Sequence, residues 1–152
     1  MQVADILAAK GRTTHTIKPG DTVAALSTLL RDRNIGAAVV SRDGTTIDGV
    51  VTERDIAHKL SLQSRNVAEV PVSTIMTAAV ITCRVTDLVA TVASTMISRN
   101  VRHIPVVDDR DKLIGMVSIR DVLRVRVDEL QREAALLRTV AHEATREPQD
   151  RE

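Results

Sequence analysis

The feature that most constrains this chain is an internal repeat. A shift of 66 positions lays residues 21–56 over residues 87–122 without a gap, and 11 of the 36 aligned positions are identical. The segments VADIL at 3–7 and VSTIM at 72–76 also match, but at an offset of 69, so the first copy carries three extra residues before its first strand. Two copies are too few for a solenoid. The repeat therefore predicts two small units that pack about an approximate two-fold axis.

Within each copy, the apolar pattern and the turn residues predict the order β-α-β-β-α. A short strand precedes a turn at 19–21, after which Val23, Leu26 and Leu30 recur at the spacing of one helical face. Two strands joined by a short polar turn come next, which is the pattern of a hairpin. A second helix then begins directly after the hairpin, from Thr52 in the first copy.

The predicted fold class is therefore α+β, with two tandem repeats that form one paired module with pseudo-two-fold symmetry and a long C-terminal helix. We place the repeats at 2–62 and 72–126, the helical extension at 127–144 and a frayed tail at 145–152. A unit of about 60 residues is marginal alone, so pairing is expected to complete the core. Pro105 is expected at a strand start or edge, because proline cannot donate to a ladder.

The C-terminal helix carries its own apolar pattern. Six residues follow one another at spacings of 4, 3, 4, 3 and 4, which is the a/d pattern of a coiled coil: Leu123, Val127, Leu130, Ala134, Leu137 and Ala141. The pattern is compatible with packing against the protein's own body and equally with helix pairing between subunits.

Composition excludes several function classes. The chain has no Phe, Tyr or Trp, so it has no platform for stacking single-stranded bases and no aromatic cage. A net charge of +1 lacks the basic excess of nucleic-acid-binding proteins. The single cysteine, Cys83, cannot form an internal disulfide, and no apolar run is long enough to span a membrane. We expect a cytoplasmic protein that binds neither nucleic acid nor membrane.

The strongest local signal is the motif G-x-x-[ST]-x-x-D at 49–55 and again at 115–121, placed where a strand runs into a helix. The free N–H groups and partial positive charge of a helix start favour anions. A hydroxyl and an arginine can add to that attraction, and a carboxylate three residues on can accept both hydroxyls of a ribose. The candidate binding residues are Thr52, Arg54 and Asp55 in the first copy and Ser118, Arg120 and Asp121 in the second.

The same spacing has a purely structural interpretation. Ser or Thr at a helix N-cap with an acid three residues later is close to a capping box. One isolated copy would favour that interpretation, because such caps are common. The recurrence of the motif after a glycine and an apolar strand in both copies strengthens the binding interpretation.

The combined pattern resembles the CBS domain family, named after cystathionine β-synthase. The tandem β-α-β-β-α units, with VRHIPVVD followed by LIGMVSIRD, carry the resemblance over about residues 2–126. The segments NIGAAVV and TERDIAHK and the C-terminal helix are similar to those of small stand-alone bacterial CBS-pair proteins. The resemblance implies a homodimer in which the modules associate as a flat disc.

The resemblance also implies two clefts between the repeats, which in many members hold adenosine-containing ligands such as AMP, ATP or NAD. It implies that the motif acids hold ribose and that the motif hydroxyls lie near phosphate. Residues at the start of the hairpin are implied to line a cleft, namely Arg102, His103 and Ile104. Residues around the first strands are implied to flank the base, namely Thr16, Ile17, Lys18 and Thr82.

Two further expectations concern the clefts. The first copy has Gly36, Ala37 and Ala38 where the second has Arg102, His103 and Ile104, so the two clefts are not expected to be occupied equally. Without aromatic residues, a bound base must lie between aliphatic side chains such as Ile17, Val80 or Ile104.

We compare three possible functions for this sequence. The favoured one is a regulatory module that binds AMP, ATP or NAD, has no catalytic cofactor and regulates an unknown partner. An enzyme is disfavoured, because the sequence has no Walker-type loop, no nucleophile beside a base and no histidine spacing that suits a metal. The alternative is a structural or regulatory partner that acts through its C-terminal helix and keeps only vestigial clefts.

Overall fold

The computed structural model describes residues 1–63 and 65–144, so the tail expected at 145–152 lies outside the described residues. The first six elements are α1 (Val3–Lys10), β1 (Thr16–Ile17), α2 (Val23–Arg33), β2 (Ala37–Val40), β3 (Gly49–Thr52) and α3 (Glu53–Leu62). Two short 3-10 turns follow, at Val67–Glu69 and Val72–Thr74. The remaining elements are β4 (Cys83–Arg84), α4 (Val89–Arg99), β5 (His103–Val107), β6 (Leu113–Ser118) and α5 (Ile119–Ala144).

The two copies form two three-stranded sheets of the same topology. In the first sheet the order is β1-β2-β3, with β1 parallel and β3 antiparallel to β2; the second sheet repeats this as β4-β5-β6. Helices α2 and α4 are capped at their C-terminal ends by Asn34 and Asn100, both in the left-handed conformation that asparagine tolerates there. The α+β fold and the tandem β-α-β-β-α pattern are thus confirmed.

Pro105 does not lie at a strand start or an outer edge. It is the third residue of the central strand β5, fully buried and paired with Met116 of β6. In the first copy the equivalent residue, Val39, donates its N–H to the carbonyl of His15 at 3.2 Å. Pro105 cannot make that bond, and β4 begins one residue later than β1 relative to the repeat. The proline is accommodated because the pairing of β4 with β5 begins at Val106, after the residue that cannot donate.

The N-terminal segment of each copy packs into the core of the other copy. The N–H of Val3 donates to the carbonyl of Asp87 at 2.9 Å, and the N–H of Val72 donates to the carbonyl of Asp21 at 2.8 Å. Helix α1 accordingly buries its apolar face in the core of the second copy, and Val72 lies in the core of the first. The matching segments VADIL and VSTIM are therefore exchanged between the copies.

Two equivalent glycines permit this exchange. A Cβ at Gly49 would lie 2.6 Å from Met76 Sδ and 2.9 Å from the carbonyl oxygen of Thr77. A Cβ at Gly115 would lie 2.9 Å from a methyl group of Leu7. All three distances are too short for a real contact, so a side chain at either position would displace the exchanged segment or the side chains that face it.

Helix α5 is 26 residues long and leaves the body of the protein after its first two turns. Val122 and Val125 are buried in the core of the second copy. From Val127 onward the large apolar side chains are at least half exposed, including Leu130 and Leu137. The long C-terminal helix is thus confirmed. No helix in the described part of the chain has the length and apolar character of a membrane-crossing segment.

Candidate functional site

Two clefts lie between the copies and are built from equivalent positions. The first cleft, of about 310 Å³, joins the β3–α3 junction at 52–55 to residues 79–81 and 100–103 of the other copy. The second cleft, of about 660 Å³, joins the β6–α5 junction at 118–121 to residues 13–15 and 34–37. Each cleft therefore combines the start of a helix in one copy with residues at or just before the first two strands of the other copy.

The junction motif forms a complete capping box in the first copy. The backbone N–H of Thr52 donates to Asp55 Oδ2 at 2.8 Å, its hydroxyl donates to the same oxygen at 3.1 Å, and the N–H of Asp55 donates to Thr52 Oγ1 at 3.3 Å. Ser118 and Asp121 make the same three contacts, at 2.8, 3.0 and 3.3 Å. The structural interpretation is thus realised. Each carboxylate accepts through Oδ2, so Oδ1 of each acid accepts no hydrogen bond from the described part of the chain.

Asp121 differs from Asp55 in having a cationic partner. Lys10 Nζ, at the end of α1, donates to Asp121 Oδ2 at 2.7 Å. Partial burial acts to raise the pKa of Asp121, but the hydrogen bond from Lys10, the contacts from Ser118 and the charge of Lys10 outweigh it. The pKa of Asp121 therefore lies below its ordinary value, and the carboxylate is ionised at neutral pH.

A shared wall separates the two clefts. The residues that line both are Gly36, Glu53, Arg102 and His103. A Cβ at Gly36 would lie 3.5 Å from His103 Cε1 and 3.6 Å from Glu53 Oε2, so the imidazole and the carboxylate both lie against this glycine. Burial lowers the pKa of His103; Asp121 and Glu53 oppose that shift, while Lys10 and Arg102 reinforce it.

This lowered pKa of His103 predicts a pH dependence of stability. Above the ordinary histidine pKa of about 6.5 the imidazole is neutral in both the folded and the unfolded chain. As the pH falls below that value, the unfolded chain binds the proton more readily, so the folded state loses stability. We expect the free energy of unfolding to decline between pH 7.5 and 5.5, and His103→Gln to flatten that decline. Urea unfolding across this range measures it, and equal slopes for both proteins would contradict it.

Most of the residues predicted from the sequence come together in the clefts. The first cleft includes Thr52, Arg54 and Asp55, and the second includes Ser118, Arg120 and Asp121. Arg102 and His103 line both clefts, rather than only the cleft of their own copy. The expected difference between the clefts therefore does not come from these two residues.

Five predicted residues lie outside the lining of both described clefts: Thr16, Ile17, Lys18, Thr82 and Ile104. Ile17 and Ile104 are only 6 % and 1 % exposed, because they belong to the two cores. Thr16 pairs with β2, and the N–H of Lys18 is bonded to Asp21 in the turn after β1. A direct ligand contact by these five stays a prediction that the geometry does not favour.

The cleft walls use the residues just before each first strand. Val80, predicted as an aliphatic wall for a base, lines the first cleft together with Ile81. Lys10, Arg31 and Glu53 were missed by the sequence reasoning. Lys10 lies near the three-residue insertion, where the repeat provides no equivalent position that would mark it.

Cys83 and clusters of metal-ligating side chains are the other features that could carry chemistry. Cys83 is buried in the core of the second copy, and burial together with the charge of Asp87 raises the pKa of its thiol to about 12. Across residues 1–63 and 65–144, no group of three or more His, Cys, Asp or Glu side chains is placed to hold a metal ion.

The two repeats exchange their N-terminal segments and enclose one cleft on each side of a shared wall. This arrangement defines a paired-repeat module. The sequence matches the family model of the CBS domain over residues 3–62 and 72–128. This chain belongs to the CBS domain family.

Relatives agree with this assignment. Protein MK0525 of Methanopyrus kandleri is 34 % identical over 110 residues, which are 72 % of this chain and 56 % of that protein. The mitochondrial CBS domain-containing protein CBSX3 of Arabidopsis thaliana is 33 % identical over 139 residues, 86 % of this chain and 67 % of that protein. The chain thus spans between about half and two-thirds of the length of these relatives.

Solved structures share the fold. A CBS domain protein from Pyrobaculum aerophilum in complex with AMP has a TM-score of 0.71 at 30 % identity and covers 80 % of this chain and 89 % of its own. The CBS domain pair of protein MJ0100, in complex with 5′-methylthioadenosine and S-adenosylmethionine, has a TM-score of 0.74 at 28 % identity and covers 85 % and 98 %.

Proposed function

We propose that this protein is a regulatory module that binds adenosine-containing ligands in its two clefts and acts by binding rather than by catalysis. The observation that carries the proposal is the recurrence, at equivalent positions, of a helix start with a hydroxyl, an arginine and an acid that has one free oxygen. The adenosine compounds bound by the two solved relatives support it.

Each part of the site has a matching part of the ligand. The helix starts at Thr52 and Ser118 suit a phosphate or another anionic group. Oδ1 of Asp55 and of Asp121 suits the two ribose hydroxyls. The aliphatic side chains of Val80 and Ile81 suit the base in the first cleft, since the chain has no aromatic residue to stack on it. AMP, ATP and NAD are the candidate ligands.

The absence of aromatic residues makes the test direct. The chain contributes almost no absorbance near 280 nm, so an adenine that co-purifies with the protein would dominate the spectrum near 260 nm. Calorimetry on protein stripped of ligand should then show binding of at least one of AMP, ATP and NAD. If none of them binds, the proposal is wrong.

Paired variants test the ribose role of the motif acids. Asp55→Asn and Asp121→Asn should each weaken binding at their own cleft by about 10- to 100-fold, because a hydrogen bond to a charged group contributes about 1.5–3 kcal/mol. Asp128→Asn, on the exposed surface of α5, makes the same chemical change away from both clefts and should leave affinity unchanged. An equal effect of all three variants would contradict the ribose role.

A second candidate function is assembly with a second copy of this chain through α5. The observation that favours it is the exposed a/d row from Leu123 to Leu137, which no described part of the same chain covers. In a parallel pair with this row at the seam, Glu133 of one helix lies opposite Arg138 of the other, twice by symmetry. We propose a homodimer on this basis. The cytoplasmic location and the regulated partner stay predictions.

A further inference from the structure

The two clefts differ in charge although they are built from equivalent positions. The first is lined by two cations, Arg54 and Arg102, and by two carboxylates, Glu53 and Asp55. The second is lined by four cations and two carboxylates: Lys10, Arg31, Arg102 and Arg120, with Glu53 and Asp121. The second cleft therefore carries an excess of two positive charges, and it is also about twice as large.

Lys10 is the main source of this difference. It comes from α1, the exchanged helix, and its ammonium group lies 2.7 Å from Asp121 Oδ2. The positions offset by 66 and 69 from Lys10 are Met76 and Ala79, so the first cleft has no such cation. Arg31 is partly neutralised, because its guanidinium pairs with Asp32 at 2.9 Å.

The starts of α3 and α5 also differ in charge, and again the second cleft has the less negative one. The first turn of α3 contains Glu53 and Asp55, whose negative charges already offset the partial positive charge of the helix start. In α5 the residue equivalent to Glu53 is Ile119, so Asp121 is the single acid in that turn. Asp121 is in turn held by Lys10. The start of α5 therefore keeps more of its attraction for an additional anion.

From this asymmetry we infer that the second cleft selects adenosine nucleotides with a di- or triphosphate chain and that Lys10 is the specificity-determining residue. The inference rests on the proposed function and names the ligand class of one of its two clefts. A lysine ammonium has three N–H donors, and Asp121 takes one of them. Lys10 can thus hold the ribose acid and bind a phosphate oxygen together, while the electroneutral first cleft has no equivalent preference.

The test compares adenosine, AMP and ATP by calorimetry in buffer with EDTA, so that no metal screens the phosphates. Asp55→Asn weakens the first cleft, and the remaining binding in that protein reports on the second. There we expect ATP to bind at least ten times more tightly than adenosine. This preference should shrink between 50 and 300 mM NaCl, because salt screens charge interactions.

Three variants in the Asp55→Asn background identify the residue responsible. Lys10→Met keeps the length of the side chain and should weaken ATP binding by a much larger factor than adenosine binding, and so remove most of the ATP preference. Lys10→Arg keeps the charge and should retain the preference. Lys59→Met removes a lysine of α3 outside the lining of both described clefts and should change nothing.

The outcomes separate the inference from the proposed function. Equal affinity for adenosine and ATP at the second cleft, or an ATP preference that survives Lys10→Met, overturns the inference and leaves the proposed function standing. No binding of any of the three compounds by the unmodified chain overturns both. If Lys10→Met unfolds the protein, the comparison of Lys10→Arg with the unmodified chain and the salt dependence decide the question.

Discussion

Replacing Gly49 with alanine should lower the free energy of unfolding by about 1–3 kcal/mol, because overpacking a core typically costs this much. The new Cβ would meet Met76 Sδ at 2.6 Å and the carbonyl oxygen of Thr77 at 2.9 Å. Met76 can turn away, but Thr77 is fixed by backbone hydrogen bonds to Val50 at 2.9 and 3.0 Å. The cost therefore includes displacing the segment that closes the first copy.

Gly20→Ala is the matched control for this substitution. It adds the same methyl group at a position where nothing lies within 4 Å and where the backbone φ is not positive. Urea unfolding followed by far-UV circular dichroism measures both variants, since the chain has no tryptophan for fluorescence. Equal stability of the two variants would show that the exchanged segment does not press on Gly49.

Leu137→Asp should convert the proposed homodimer into a monomer of 16.6 kDa. Leu137 lies in the a/d row of α5 and is 70 % exposed in the single chain, so a charge there should not disturb the monomer fold. In a paired helix the same side chain is desolvated, and burying an unpaired carboxylate is strongly unfavourable. Sedimentation or light scattering gives the mass directly.

Thr139→Asp provides the control two residues further along α5. It introduces the same charge on an exposed helical position that faces away from the row. A dimer should survive Thr139→Asp and be lost in Leu137→Asp. If the unmodified protein is a monomer, or if Leu137→Asp stays dimeric, α5 does not pair two copies. A monomer would then leave the exposed row for a different protein.

The sequence predicts what is local and what recurs. The six strands, helices α2 to α5 and the capping boxes of Thr52 and Ser118 follow from patterns within a few residues, and the repeat supports them in both copies. Helix α1 was not predicted, and its counterpart in the second copy is only the 3-10 turn Val72–Thr74. These patterns also bring the two motif acids to the clefts. Their pairing with the other copy follows from the two-fold arrangement that a tandem repeat implies.

The sequence does not predict which segment completes which copy. The offset of 69 between VADIL and VSTIM was visible, but it did not show that Val3 packs with the second copy and Val72 with the first. Lys10 was missed for the same reason, since its contact with Asp121 joins residues far apart in sequence. Ile17 and Ile104 were assigned to the site from the family resemblance, which places strand residues at a cleft but does not separate a cleft wall from a core.

The exchange of segments also determines when this chain can fold during synthesis. The core of the first copy includes Val72, with Ile75 and Met76 packed against it. That copy is therefore incomplete until residues 72–76 have left the ribosome. Helix α1 is made before both sheets, yet its buried face fits the core of the second copy, whose strands are made after those of the first. We therefore expect neither repeat to fold alone and the two halves to gain their stability together, once both sheets and both exchanged segments have been made.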